Sequence, residues 1–179
     1  SIGNYAISYD KRLEELVIPS TVTSLGSYAL YNDINLKKLT FPASSSNAVL
    51  RIGNNSNGLT FGKLTNLEEL YIDRDITCNY TATNNLSELN PNVKVTIGKD
   101  VNTLDNIFVS AFCPETEVAF EGENDFAVST RIANTSTDVK WRELKGDFYV
   151  DENGVVYKLN KTNSTASVFH IPAGITDYT

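Results

Sequence analysis

A chain of 179 residues with 41% apolar and 21% charged side chains is long enough to bury one core and ordinary in make-up. Its net charge of −7 and pI near 4.7 argue against nucleic acid or an anionic membrane surface as partner, since either would require a basic face. No run of about eighteen apolar residues is present to insert in a bilayer, and no basic start leads into an apolar leader.

The opening of the chain says nearly the same thing twice. Ile2-Gly3-Asn4-Tyr5-Ala6 and Leu13-Glu14-Glu15-Leu16-Val17-Ile18-Pro19 return as Leu25-Gly26-Ser27-Tyr28-Ala29 and Leu36-Lys37-Lys38-Leu39-Thr40-Phe41-Pro42, at a constant offset of 23. A fixed period of that size, with aliphatics at matching positions, predicts a solenoid of leucine-rich type. Alternation places Leu16 and Ile18 on one face of a short strand and Glu15 and Val17 on the other. Pro19, which has no amide to donate, ends it. The i, i+3, i+4 spacing of Ile2, Tyr5 and Ala6 predicts a short helical turn over Gly3–Ile7, packing back on the strand.

After Pro42 the stretch 43–57 is rich in Ser and Asn and predicts a loop, with a small strand at Val49–Ile52. Leu67–Ile72 is the third strand, and 67 − 36 = 31 marks an insertion of about eight residues, which solenoids accept because each turn touches only its neighbours. Val93–Ile97 follows at 95 − 70 = 25, and Val101–Leu104 echoes Val22–Leu25. Glu117–Phe120 is a fifth strand and Asp138–Trp141 a sixth, aligned at 141 − 120 = 21, with Phe126, Val128 and Ile132 expected as buried contacts between them.

The end differs in kind. Phe148-Tyr149-Val150 and Val155-Val156-Tyr157 flank Asp151-Glu152-Asn153-Gly154, whose Asn-Gly pair predicts a hairpin. Ser167–Pro172 restores the strand-then-proline order. One domain is expected over 1–179, with regular units at 1–42, irregular inserted units at 43–145 and a hairpin-type unit at 146–179. The chain holds no methionine and starts inside a repeat, so a fragment of a longer chain is expected.

The order strand, proline, Ser-Thr-Val-Thr-Ser, aliphatic-Gly-x-Tyr-Ala, carried most specifically by Ile18 to Leu30, resembles the BspA-like leucine-rich repeat family. The segment from Phe148 to Pro172 looks like a variant unit of the same proteins. Ile7 and Leu30 stand where that family usually has Phe. The resemblance implies an α/β fold: a right-handed solenoid with a parallel concave β-sheet, short helical or irregular convex segments and irregular middle units. It also implies a non-enzymatic protein at the cell surface or secreted, engaged in adhesion or host-protein binding.

Chemistry-bearing groups are few. His170, the single histidine, alternates with Phe169 and Ile171, so it is expected at the surface of its strand; no serine or cysteine motif accompanies it as a base would need. Asp147, Asp151, Glu152 and Asn153 crowd a hairpin without the order of a calcium loop, and read as an acidic turn. Glu14/Glu15 and Glu68/Glu69 point to opposite sides of a strand, so neither pair can act on one sugar bond. Cys78 and Cys113 are expected as buried thiols, a disulfide being the alternative. Asn-x-Ser/Thr triplets start at Asn54, Asn79, Asn85, Asn134, Asn160 and Asn163 and are expected from a chain so rich in these residues.

What remains is a surface. The outward residues of the strands are Glu15, Val17, Lys38, Thr40, Glu69, Tyr71, Lys94 and Thr96, continued by Glu117, Ala119, Asp138, Lys140 and His170. Tyr71 is the expected anchor if this face binds a protein or glycan. The alternation of Glu and Lys is equally accounted for by cross-strand pairs on a solvated face, as in a structural spacer with no ligand of its own. No cofactor, no metal, no nucleic acid and no membrane insertion are expected, and the chain is expected to be a monomer.

Overall fold

The structure is a computed structural model and describes residues 1–53, 60–78, 89–104, 115–122, 139–143, 147–172 and 175–176. Six short strands stack side by side in one parallel sheet: β1 (Glu15–Val17), β3 (Lys38–Phe41), β5 (Glu69–Ile72), β7 (Lys94–Ile97), β8 (Glu117–Phe120) and β9 (Lys140–Glu143). Between the first four of these, β2 (Ser24–Leu25), β4 (Leu50–Ile52) and β6 (Ile76–Cys78) pair in parallel as a second, smaller sheet. The chain thus winds as a solenoid, three successive turns carrying a strand on each of two faces.

The register follows the repeat. Leu16 pairs with Leu39, Leu39 with Leu70, Leu70 with Val95, Val95 with Val118 and Val118 with Trp141. These residues form one inward row, and Ile18, Phe41, Ile72, Ile97 and Phe120 form a second that is fully buried or nearly so. Leu25, Leu50, Ile52 and Ile76 meet them from the small sheet. A side chain of this size, fully buried, stabilises by about 1.5–3 kcal/mol, and the two rows repeat that gain at every turn. The sixth strand corrects one alignment. Trp141 sits opposite Val118, an offset of 23 and not the 21 that its match to Phe120 implies, because the period of the first units holds as far as Trp141; the bulge comes after it, between Val118 and Ala119.

No helix forms among the described residues, and the helical turn expected over Gly3–Ile7 is absent. The backbone there is held sideways. Tyr5, Ile7 and Tyr9 donate their amides to the carbonyls of Ser27, Ala29 and Tyr31 on the next turn, at 3.0–3.1 Å, instead of to residues four back in their own. Tyr5 (φ 56°) and Tyr9 (φ 65°) are left-handed, and the same places in later turns are again left-handed at Tyr28 (φ 57°), Asn32 (φ 64°) and Lys63 (φ 64°). Such residues cost about 1–2 kcal/mol each outside glycine. Stacking of Tyr5 on Tyr28, ring centroids 4.8 Å apart, offsets part of that cost. No helix among the described residues is long and apolar enough to cross a membrane.

Polar side chains tie the loops from turn to turn. Asn35 Nδ2 donates to the Lys11 carbonyl at 2.6 Å and Asn66 Nδ2 to that of Ile34 at 2.7 Å, while Thr116 Oγ1 reaches the Pro91 carbonyl at 3.2 Å. Carboxylates accept in the same manner: Asp33 Oδ1 from the Asp10 amide at 2.8 Å and Asp73 Oδ1 from the Asp100 amide at 2.9 Å. Arg74, only 2% exposed, spans furthest. Its Nη1 donates to the Ser20 and Val22 carbonyls (3.3 and 2.7 Å) and its Nη2 to those of Ile18 and Pro19 (3.1 and 3.2 Å). One guanidinium therefore gathers the loop that follows β1.

The last three strands, β10 (Phe148–Val150), β11 (Val156–Asn160) and β12 (Thr165–His170), form a separate antiparallel sheet. The hairpin falls where Asn-Gly predicts it, but only Gly154 takes a positive φ, 79°. The turn is a four-residue one, closed from the Gly154 amide to the Asp151 carbonyl at 3.0 Å, and the Asp151 carboxylate accepts from the amides of Asn153 and Val155, both at 2.9 Å. β12 runs antiparallel to β11, so its proline-ended strand does not join the six-stranded sheet as the opening units do.

Candidate functional site

Along the open face of the large sheet the register sets Glu15, Lys38, Glu69, Lys94, Glu117 and Lys140 in one row, alternating in sign at every step. Lys38 Nζ meets Glu69 Oε2 at 3.0 Å, and this hydrogen bond and charge hold the Lys38 ammonium above its ordinary pKa. Both side chains are about half exposed, so the pair adds little to stability. The second row is Val17, Thr40, Tyr71, Thr96 and Ala119.

Six of the eight expected site residues, Lys38, Thr40, Glu69, Tyr71, Lys94 and Thr96, line a single groove of about 470 Å³. Glu15 and Val17 stand outside it on the edge strand β1, exposed, with Val17 59% accessible. Tyr71 is half-buried at the centre. Its hydroxyl lies 3.1 Å from Glu121 Oε2 and 3.3 Å from Asp73 Oδ2, and its one proton is shared between them. Burial first, then the Asp73 charge and the Glu121 bond, push the phenol far above its usual range, so it stays neutral and keeps its proton for these carboxylates.

Arg142 completes the wall and was not among the expected residues. β9 bulges against β8: Trp141 pairs with Val118 and Glu143 with Ala119, leaving Arg142 as the additional residue. From there its side chain crosses β8 to donate from Nη2 to Thr96 Oγ1 on β7, at 3.0 Å. The small Ala119 lies in between, and although it belongs to the outward row it is only 4% exposed. A strand read as ending at Trp141 leaves Arg142 out; a basic residue at the next outward step was the one signal available.

Other expected candidates lie elsewhere. His170 is half-buried, not at the surface, with its ring edge-on to Trp141 at 6.4 Å. The hairpin draws it against the end of the large sheet, and it takes no place in the open-face rows. Asp138 lies outside the described residues, as do Cys113, Phe126, Val128, Ile132 and the triplets starting at Asn54, Asn79, Asn85 and Asn134. Cys78 is half-buried at the end of β6. In the acidic hairpin, Asp147 pairs with Lys161 Nζ at 2.8 Å and Asp151 accepts from the turn amides and from the Tyr157 hydroxyl at 3.2 Å. Among the described residues no three His, Cys, Asp or Glu side chains converge as a metal site would need.

A family model described as the BspA type leucine rich repeat region matches residues 1–114 in six copies. No curated protein and no solved structure matches the chain. The matched residues include β1 to β7 and every groove residue except Arg142. Family match, repeat period and stacked parallel strands agree, and the chain belongs to the BspA type leucine-rich repeat family.

Proposed function

We propose that this chain is a protein-binding repeat module whose partner lies in the groove on the open face of the six-stranded sheet. Leucine-rich repeats of this kind are typically non-enzymatic binding scaffolds. The observation that carries the reading is the convergence of Tyr71, Thr40, Thr96 and their charged neighbours on one concavity. An aromatic ring with hydroxyls beside it is the composition of a recognition patch, with Tyr71 as anchor. Its phenol, kept protonated, suits recognition and supplies no phenolate base. Families of this type are typically found in surface or secreted bacterial proteins, so the partner is an extracellular protein met in adhesion or host contact. We also take 1–179 as one domain, the hairpin sheet covering the end of the large sheet at β9.

The second reading, a spacer with no ligand, is favoured by one observation, the sign alternation that pairs Lys38 with Glu69. An array of purified extracellular matrix and serum proteins, with glycans alongside, separates the two. Wild type is expected to capture at least one protein, and Tyr71→Ala and Thr40→Arg, the second filling the groove, are expected to weaken it by about tenfold or more, a loss of about 1.4 kcal/mol. Identical profiles for all three proteins, or no capture by wild type, would leave the spacer reading standing.

A further inference from the structure

The inference rests on the reading of this groove as a protein-binding surface and names what it recognises. We infer that the groove takes an acidic stretch of extended peptide, with one Asp or Glu carboxylate seated between Lys94 and Arg142.

The argument begins from charge that is already engaged and charge that is not. Three carboxylates border the groove. Glu69 is held by Lys38 at 3.0 Å, and Asp73 and Glu121 share the Tyr71 hydroxyl. Of the three cations that line it, only Lys38 has a carboxylate partner among the described residues. Lys94 makes no ion pair among the described residues, and Arg142 has Thr96 Oγ1 as its one partner there. Lining and bordering charges balance in number, three of each sign, but two of the cations, Lys94 and Arg142, have no carboxylate partner among the described residues. Two neighbouring cations left without a counter-charge have an anion as their complement.

Geometry narrows the anion. The bond to Thr96 holds the guanidinium on the far side of β8 with one Nη2 hydrogen and leaves one edge, on which the second Nη2 hydrogen lies beside that of Nε or Nη1, as a planar fork suited to a carboxylate. Thr96 and Lys94 lie two residues apart on the same face of β7, roughly 7 Å along the strand. A carboxylate at the fork is thus within reach of the Lys94 ammonium. From β3 to β9 the groove crosses four strand spacings, roughly 19 Å, which an extended peptide of about six residues spans. Arg142 owes its position to the bulge and Ala119 clears its way, so the cation is built into the backbone.

The test uses the full chain and fluorescein-labelled deca-glutamate, with deca-lysine, a neutral Gly-Ser decapeptide and oligogalacturonate as comparison probes. Fluorescence anisotropy is expected to show saturable binding of deca-glutamate that weakens with salt. Lys94→Gln and Arg142→Gln should each weaken it about tenfold or more. Lys37→Gln, which removes an exposed lysine paired with Glu14 outside the groove, should leave it unchanged. No binding of deca-glutamate, equal loss in Lys37→Gln, or preference for the neutral peptide would overturn the inference. Tighter binding of oligogalacturonate with the same dependence on Lys94 and Arg142 would also overturn it, in favour of an acidic glycan. If deca-glutamate fails while a protein from the array is still lost in Tyr71→Ala and Thr40→Arg, only the acidic assignment falls. If the array also shows no groove dependence, the binding-module reading falls with it.

Discussion

Replacing Asp33 by asparagine should remove a pH dependence that the wild type carries between mildly acid and neutral solution. Asp33 is fully buried; Oδ1 accepts the Asp10 amide, and Oδ2 has no partner among the described residues. Burial raises its pKa from 3.8 to about 6, the nearby Asp10 charge adds to the rise, and the Asp10 amide works against both. Below the lower value both native and unfolded chains hold the proton, and the site costs nothing. As the pH climbs between the two values the unfolded chain releases its proton while the native chain keeps it, so stability falls. Above the upper value the loss is complete and constant. A separation of about 2 pH units at about 1.4 kcal/mol each gives a loss of about 3 kcal/mol. In the Asp33→Asn variant the side-chain carbonyl would keep the bond to the Asp10 amide and an uncharged NH2 would take the unpartnered position, a cost equal at every pH. Urea unfolding of both proteins at a series of pH values from about 4 to about 8 reads the difference. The variant should gain on wild type by up to about 3 kcal/mol across that range. Parallel stability curves would refute the reasoning.

Arg74→Met should cost about 3–5 kcal/mol in chemical denaturation, because four carbonyls of the loop after β1 lose a charged donor together. Arg74→Lys should recover less than half of it, since an ammonium cannot span the same four oxygens. Gly98→Ala places a methyl against the Asp73 carboxylate, which holds the Asp100 amide and faces Tyr71; thermal unfolding should report a loss of about 1–3 kcal/mol. Asp151→Ala removes the acceptor of the Asn153 and Val155 amides and should destabilise the hairpin by about 1–2 kcal/mol. Hydrogen exchange should locate that loss in β10 and β11, leaving β3 and β5 protected as before.

Much of the large sheet is legible in the chain because two periods reinforce each other. Alternation within a strand and the spacing between strands place Leu39, Leu70 and Val95 in one inward row, and the insertion before Leu67 leaves the pairing of Lys38 with Glu69 intact. Where one period fails, so does the reading. Trp141 resembles Phe120 in kind, yet it keeps the 23-residue offset and pairs with Val118, and the bulge that follows, which no alternation encodes, carries Arg142 into the groove. The missing helix has another cause. Apolar residues at i, i+3 and i+4 also suit a chain that turns through left-handed residues, and tyrosine gives no warning of a positive φ as glycine would. Asp33 and Arg74 were invisible for a third reason: charged residues are expected outside, and both are buried by partners that lie a turn or more away.

The alternating row on the open face gives the array a parity. Removing the turn that carries β5 would bring Lys38 beside Lys94, and duplicating it would set one Glu69 against another. Like charges directly opposite each other in a sheet are unfavourable, whereas loss or gain of two adjacent turns restores attraction at every step. Recombination that shortens or lengthens such a protein therefore meets less resistance when it moves repeats in pairs. Descendants of this chain should differ from it, along this stretch, by an even number of turns.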